Sequence, residues 1–182
     1  PIQFGIPKDK IVSNVNIQPK NLLAPLIPGR LNTYIYNSEI DYYRMYQESI
    51  FALTYKKAGW DPLRHYEILM NGCLPLFLDI EDCPSNTMKN FPKKEIIEIK
   101  DKYEIILQNY FPTKIFKYKF LTFKNFNNYF FNLFSSKKKI DYFIEKDKEI
   151  FELKSKLLNF TKENLTTYKL AEYVINSVRN NS

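Results

Sequence analysis

Residues 54–79, TYKKAGWDPLRHYEILMNGCLPLFLD, read as strand, loop, helix, turn and strand, and this stretch decides the fold. Phe51 to Tyr55 is a short apolar, β-prone run, and Leu74 to Leu78 is another, with Pro75 near its start. Between them, Asp61 is placed to cap a helix by accepting from the free N–H groups of its first turn, and Pro62 suits the first helical position. Gly72, after Asn71, supplies the left-handed residue that ends the helix. The spacing predicts a helix from Pro62 to Asn71 that joins two buried parallel strands, a right-handed βαβ crossover. Leu63, Tyr66 and Met70 form the face expected to pack on the sheet.

The residues on this connection carry the chemistry. Lys56, Lys57 and Gly59 follow the first strand and therefore lie at its carboxyl end, where open α/β sheets bind ligands. Arg64 and Glu67 are three apart and share one helix face. A cationic loop at a helix N-terminus suits a phosphate, and a carboxylate one turn further in accepts from ribose hydroxyls. The plainer alternatives are a solvated ion pair between Arg64 and Glu67 and two ordinary surface lysines. His65, the only histidine, reads as a packing or hydrogen-bonding residue rather than a metal ligand or catalytic base.

The run from Lys57 through R-H-Y-E at 64–67 to N-G-C-L-P-L-F-L-D at 71–79 resembles the donor-binding motif of exostosin-like and related GT-B glycosyltransferases. In that family an R-x-x-E helix precedes a small-residue turn and a strand with C-x-P or G-x-P. The resemblance covers these 26 residues and implies the Rossmann-like, donor-binding half of a GT-B fold. Glu67 would take the ribose and Arg64 the diphosphate of a nucleotide-sugar, with Lys56, Lys57 and Gly59 beside them. Many GT-B enzymes carry an acid eight positions before this glutamate; here that position is Gly59. The implied activity is transfer of a sugar from a nucleotide-sugar co-substrate to an acceptor, with no other cofactor and no metal. No residue reads as a catalytic base. An N-terminal acceptor domain outside this chain is the implied partner, which makes the chain a C-terminal half whose isolated activity is in doubt.

At 182 residues the chain is expected to form a single domain with a real core, and 45% hydrophobic with 26% charged residues is ordinary globular composition. A net charge of +7 favours nucleic acid, anionic membranes or phosphorylated small molecules as partners. Neither a secretory leader nor a run of 18 uncharged apolar residues is visible, which favours the cytoplasm. Cys73 reads as a small core residue, and a disulfide to Cys83 stays open. Two cysteines without histidine partners do not make a zinc site.

Outside the central stretch, the prolines among residues 1–33 predict short strands and loops, with a strand at Thr33 to Tyr36. Ser38 to Gln47 reads as a helix with Ser38 as its cap. Residues 80–98 are expected to add a short helix and another strand, and Tyr103 to Tyr110 a helix ended by Pro112. The segment at about 112–139 is rich in aromatics and lysine, with nine aromatics between Ile115 and Phe134. It supplies the alternative function, a basic, non-enzymatic module that grips single-stranded nucleic acid or an anionic membrane surface; packing against the core or a partner domain is the plainer reading. C-terminal helices are expected over about 140–180: a mostly solvated one from Ile140 to Leu158, and one from Thr167 to Arg179. The latter places Leu170, Val174 and Val178 on a stripe that would dock on the sheet.

Overall fold

The computed structural model describes residues 3–110 and 136–179. Its element order is β1 (Asn21–Leu23), α1 (Glu39–Gln47), β2 (Ser49–Thr54), α2 (Leu63–Met70), β3 (Leu74–Phe77), α3 (Lys93–Tyr110), α4 (Lys137–Lys146), α5 (Ile150–Asn164) and α6 (Thr167–Arg179). The strands form one parallel sheet in the order β1-β2-β3, with Leu23 opposite Phe51 and Thr54 opposite Phe77. This is an α/β chain with a Rossmann-like core, a parallel sheet flanked by helices.

All six residues of β2 are buried, as the central strand of a covered parallel sheet requires. Side chains alternate across it. Phe51 meets Tyr103 of α3 and Phe143 of α4, with ring centroids 4.9 and 5.7 Å away. On the other face, Ala52 joins Met45 and Tyr46 of α1 and Ile68 of α2. Pro75 pairs with Ala52 from β3, which has no second neighbour among the described strands, so its missing N–H costs the ladder nothing.

The helix ends of the central unit fold in two ways. At the C-terminus Gly72 takes φ +64°, its N–H donates to Leu69 O at 3.0 Å, and the Cys73 N–H donates to Ile68 O at 3.1 Å, a Schellman closure. At the N-terminus the expectation for Asp61 fails. Pro62 itself stands at the cap with extended backbone, and no side chain caps the helix. The Asp61 carboxylate instead accepts from the Tyr66 hydroxyl at 2.6 Å and from the Phe4 N–H at 3.1 Å. Leu63 is exposed rather than packed; the buried face of α2 is His65, Tyr66, Ile68, Leu69 and Met70. Ser38 caps α1 as expected, accepting from the Asp41 N–H at 3.1 Å.

Other expectations are corrected. In place of a strand at Thr33 to Tyr36 there is a 3-10 turn, Leu31–Thr33, organised by the buried Thr33 hydroxyl, which donates to Arg30 O at 2.7 Å and accepts from the Ile27 N–H at 3.1 Å. Among the described residues no strand follows residue 80. Ile96, Ile99 and Tyr103 recur at helical spacing and are buried on one side of α3. The helix expected from Ile140 to Leu158 is two helices broken at Asp147, whose carboxylate accepts from the Tyr103 hydroxyl at 2.8 Å and pairs with Lys102 at 3.0 Å. Most residues of these helices are exposed or half-buried, as expected, while Ile140, Phe143, Ile150, Leu157 and Leu158 turn into the core. Helix α6 begins and ends as expected, but none of its residues is buried and it does not dock on the sheet. Its first residue is tied instead to the N-terminal segment, the Thr167 N–H donating to Ile6 O at 2.9 Å. Both cysteines are free. The aromatic segment Ile115 to Phe134 and the helix stop at Pro112 lie outside the described residues.

Candidate functional site

The loops at the carboxyl ends of the three strands gather on one side of the sheet. The loop after β2 turns tightly, the Lys57 N–H donating to Gly59 O at 3.3 Å, and the Lys56 N–H donates to Asp79 Oδ1 at 3.0 Å just beyond β3. The Lys56 ammonium lies 4.9 Å from the centre of the Trp60 ring. Lys56, Lys57 and Gly59 are all exposed, and a side chain added at Gly59 would meet nothing within 4 Å. Space is therefore not what requires a glycine there. The loop after β1 closes over this end: Gly29, at φ +81°, leaves room for Tyr55, whose hydroxyl donates to Pro28 O at 2.7 Å.

Arg64 and Glu67 do share a face of α2, yet each is held by a tyrosine rather than by the other. Arg64 Nη2 donates to the Tyr34 hydroxyl at 2.7 Å, and its guanidinium lies 5.7 Å from the centre of that ring. The Tyr42 hydroxyl of α1 donates to Glu67 Oε2 at 2.8 Å. Among the described residues no carboxylate comes within 4.0 Å of Arg64, so the simple i, i+3 ion pair is not formed. Arg64 Nε is buried and unpartnered. Burial pushes the Glu67 carboxyl above its usual range, against the pull of Tyr42 and then of Arg64. Burial likewise raises the Tyr42 hydroxyl, which stays a donor.

His65 between them faces inward. Its Nδ1 lies 2.9 Å from Thr54 Oγ1 on β2, and its ring packs 4.2 Å from Phe77. Burial, and after it the Arg64 charge, lowers its pKa to about 3, and Nε2 finds no partner. It is a neutral core histidine, as the sequence reading had it. The site as folded is a half-buried arginine and a half-buried carboxylate, displayed through Tyr34 and Tyr42 at the carboxyl side of the central strand. Those two tyrosines were not singled out in the sequence; they lie 30 and 25 residues from their partners, and no local spacing marks them.

No protein family matches the chain, and neither a curated protein nor a solved structure matches it. Among the described residues no cluster of three or more His, Cys, Asp or Glu side chains is arranged to hold a metal, and no helix is long and apolar enough to cross a membrane.

Proposed function

We propose that this chain binds the nucleotide-sugar donor of a glycosyltransferase of the GT-B class at the carboxyl end of β2, the acceptor being held by a domain outside it. The observation that carries this reading is Arg64: a cation at the start of α2 with no carboxylate partner among the described residues, one buried N–H unsatisfied, and the Tyr34 hydroxyl holding Nη2. Such a guanidinium suits a diphosphate, two of whose oxygens take parallel N–H donors in a fork. The first-turn N–H groups of α2, left without a side-chain cap, add positive potential on the same side. Glu67 lies three residues, roughly 4.5 Å along the axis, from Arg64 and would accept from ribose hydroxyls. In transfer, Arg64 and the helix terminus would stabilise the charge that grows on the leaving diphosphate.

Calorimetric titration of the chain with uridine, guanosine and adenosine diphosphates and the matching nucleosides tests this. Arg64→Ala is expected to weaken the preferred diphosphate about tenfold more than its nucleoside, about 1.4 kcal/mol. Glu67→Gln is expected to cost about 1.5–3 kcal/mol of affinity for both, the range for a charged hydrogen bond. Saturable diphosphate binding that ignores both changes, or no saturable binding at all, sinks the proposal. Nothing among the described residues favours the alternative, a module for nucleic acid or a membrane, because its aromatic and lysine segment lies outside them.

A further inference from the structure

A second surface lies where α5 meets α6. There a groove of about 910 Å3 is lined by the end of α5, the start of α6, Lys8 and Asn90. Its size falls within the range of ligand clefts. We propose that this groove binds a carbohydrate bearing an anionic group, independently of the site on α2.

Contacts between segments remote in sequence build the groove. Ile6 pairs with Thr166 as an isolated bridge, and the Thr166 hydroxyl accepts from the Lys169 N–H at 3.3 Å to cap α6. Gly5 permits this approach, because a Cβ there would stand 3.0 Å from the Thr167 Cα. On the opposite wall the Asn90 N–H donates to the side chain of Gln3, itself buried, at 2.9 Å. Two residues before Asn90, Met88 is held at φ +50°, the only non-glycine residue with positive φ among those described. Strain of this kind persists where the surroundings over-determine it, and it gathers at binding sites. Here it delivers Lys89 to within 5.8 Å of the Tyr173 ring centre and Asn90 to the groove wall.

The lining has the donors and faces that a charged sugar needs. Tyr168 presents a ring that is 72% exposed, a flat apolar platform for the C–H face of a pyranose. Asn176 and Asn90 each offer both donor and acceptor to vicinal hydroxyls, and Asn164, whose Nδ2 donates to Phe160 O at 3.0 Å, keeps its amide oxygen as an acceptor. Lys169 is paired with Glu172 at 2.8 Å, and the remaining Lys8 and Lys162 outnumber Glu163, so the groove keeps a positive excess for one anionic substituent. The two glutamates also oppose a nucleic-acid backbone, whose phosphates recur along its whole length, while accepting from sugar hydroxyls.

Titration of the full chain with glucose 6-phosphate, glucose, inorganic phosphate and a single-stranded oligonucleotide tests the proposal. Glucose 6-phosphate is expected to saturate at a concentration about tenfold or more below glucose or inorganic phosphate, since it alone engages both ring and charge. Tyr168→Ala is expected to weaken it about tenfold, while Tyr168→Phe, which keeps the platform, and Arg64→Ala, which touches only the other site, leave it within about twofold. Tyr168 is exposed, so both variants retain the fold, which circular dichroism checks. Inorganic phosphate binding as tightly, the oligonucleotide binding more tightly, indifference to Tyr168→Ala, or loss on Arg64→Ala each overturns the assignment. So does the absence of saturable glucose 6-phosphate binding. Failure here leaves the diphosphate site standing, and failure there leaves this groove standing.

Discussion

His65 shows how a single side chain couples the central unit to pH. Its neutral ring is fixed between Thr54 and Phe77, and its pKa falls to about 3 in the fold, from 6.5 when exposed. Between these values the unfolded chain binds a proton that the folded chain refuses, so stability rises with pH across that window and is lost as pH falls below about 6.5. The full span corresponds to on the order of 4–5 kcal/mol. Urea denaturation at pH 7 and pH 4.5 is expected to show a marked acid loss in the native chain, and a distinctly smaller one in His65→Gln. Equal losses in the two proteins would assign the acid sensitivity to other groups. Lys154 is another buried ionisable side chain, one that the sequence did not mark. It is 1% exposed, its ammonium donates to Ser49 O at 3.1 Å, and burial lowers its pKa. In the sequence it is one lysine in a Lys- and Glu-rich run; only the placement of α5 puts it inside.

At the scale of the element, the unit β2-α2-β3 was legible because its signals are local. Gly72 ends α2 for a reason contained in its own backbone, φ +64°, and a Cβ there would also approach Val15 Cγ1 to 3.1 Å. Gly72→Ala is therefore expected to lower stability by roughly 1–2 kcal/mol, the cost of a left-handed L-residue, with the close contact adding to it. An unchanged urea midpoint would mean that the turn relaxes freely. Where signals were read too locally, the reading failed. Asp61 has the chemistry of a cap, but a carboxylate goes to the donors that need it, and here these are Tyr66 and a backbone N–H 57 residues away. The strand expected within residues 80–98 is instead part of α3, because Ile96 and Ile99 continue into Tyr103 at helical spacing and bury as one face of that helix.

The whole molecule is closed by contacts between regions that are remote in sequence. Residues 3–6 touch Asp61, Asn90 and Leu165 to Thr167, and Ile6 is 1% exposed in the core. Ile6→Ala is expected to cost about 2–5 kcal/mol, the range for a buried aliphatic truncated to alanine. It should also release the start of α6, so that exchange of the Thr167 amide, which donates to Ile6 O, accelerates more than that of amides in β2. Uniform acceleration would mean that α6 is held independently of the N-terminal segment.

The sequence by itself determined the parallel βαβ unit, the caps at Ser38 and Gly72, the extent of α6, and the shared face of Arg64 and Glu67. Each of these follows from backbone conformation or from helical spacing over a few residues. Only the tertiary structure decided which tyrosines hold Arg64 and Glu67, where Asp61 spends its carboxylate, that Lys154 is buried, and that α6 leaves its apolar stripe off the sheet. Those outcomes depend on which donor and acceptor, or which apolar face, meets another across tens of residues. That matching is settled by competition among all the packed elements, and no local spacing encodes it.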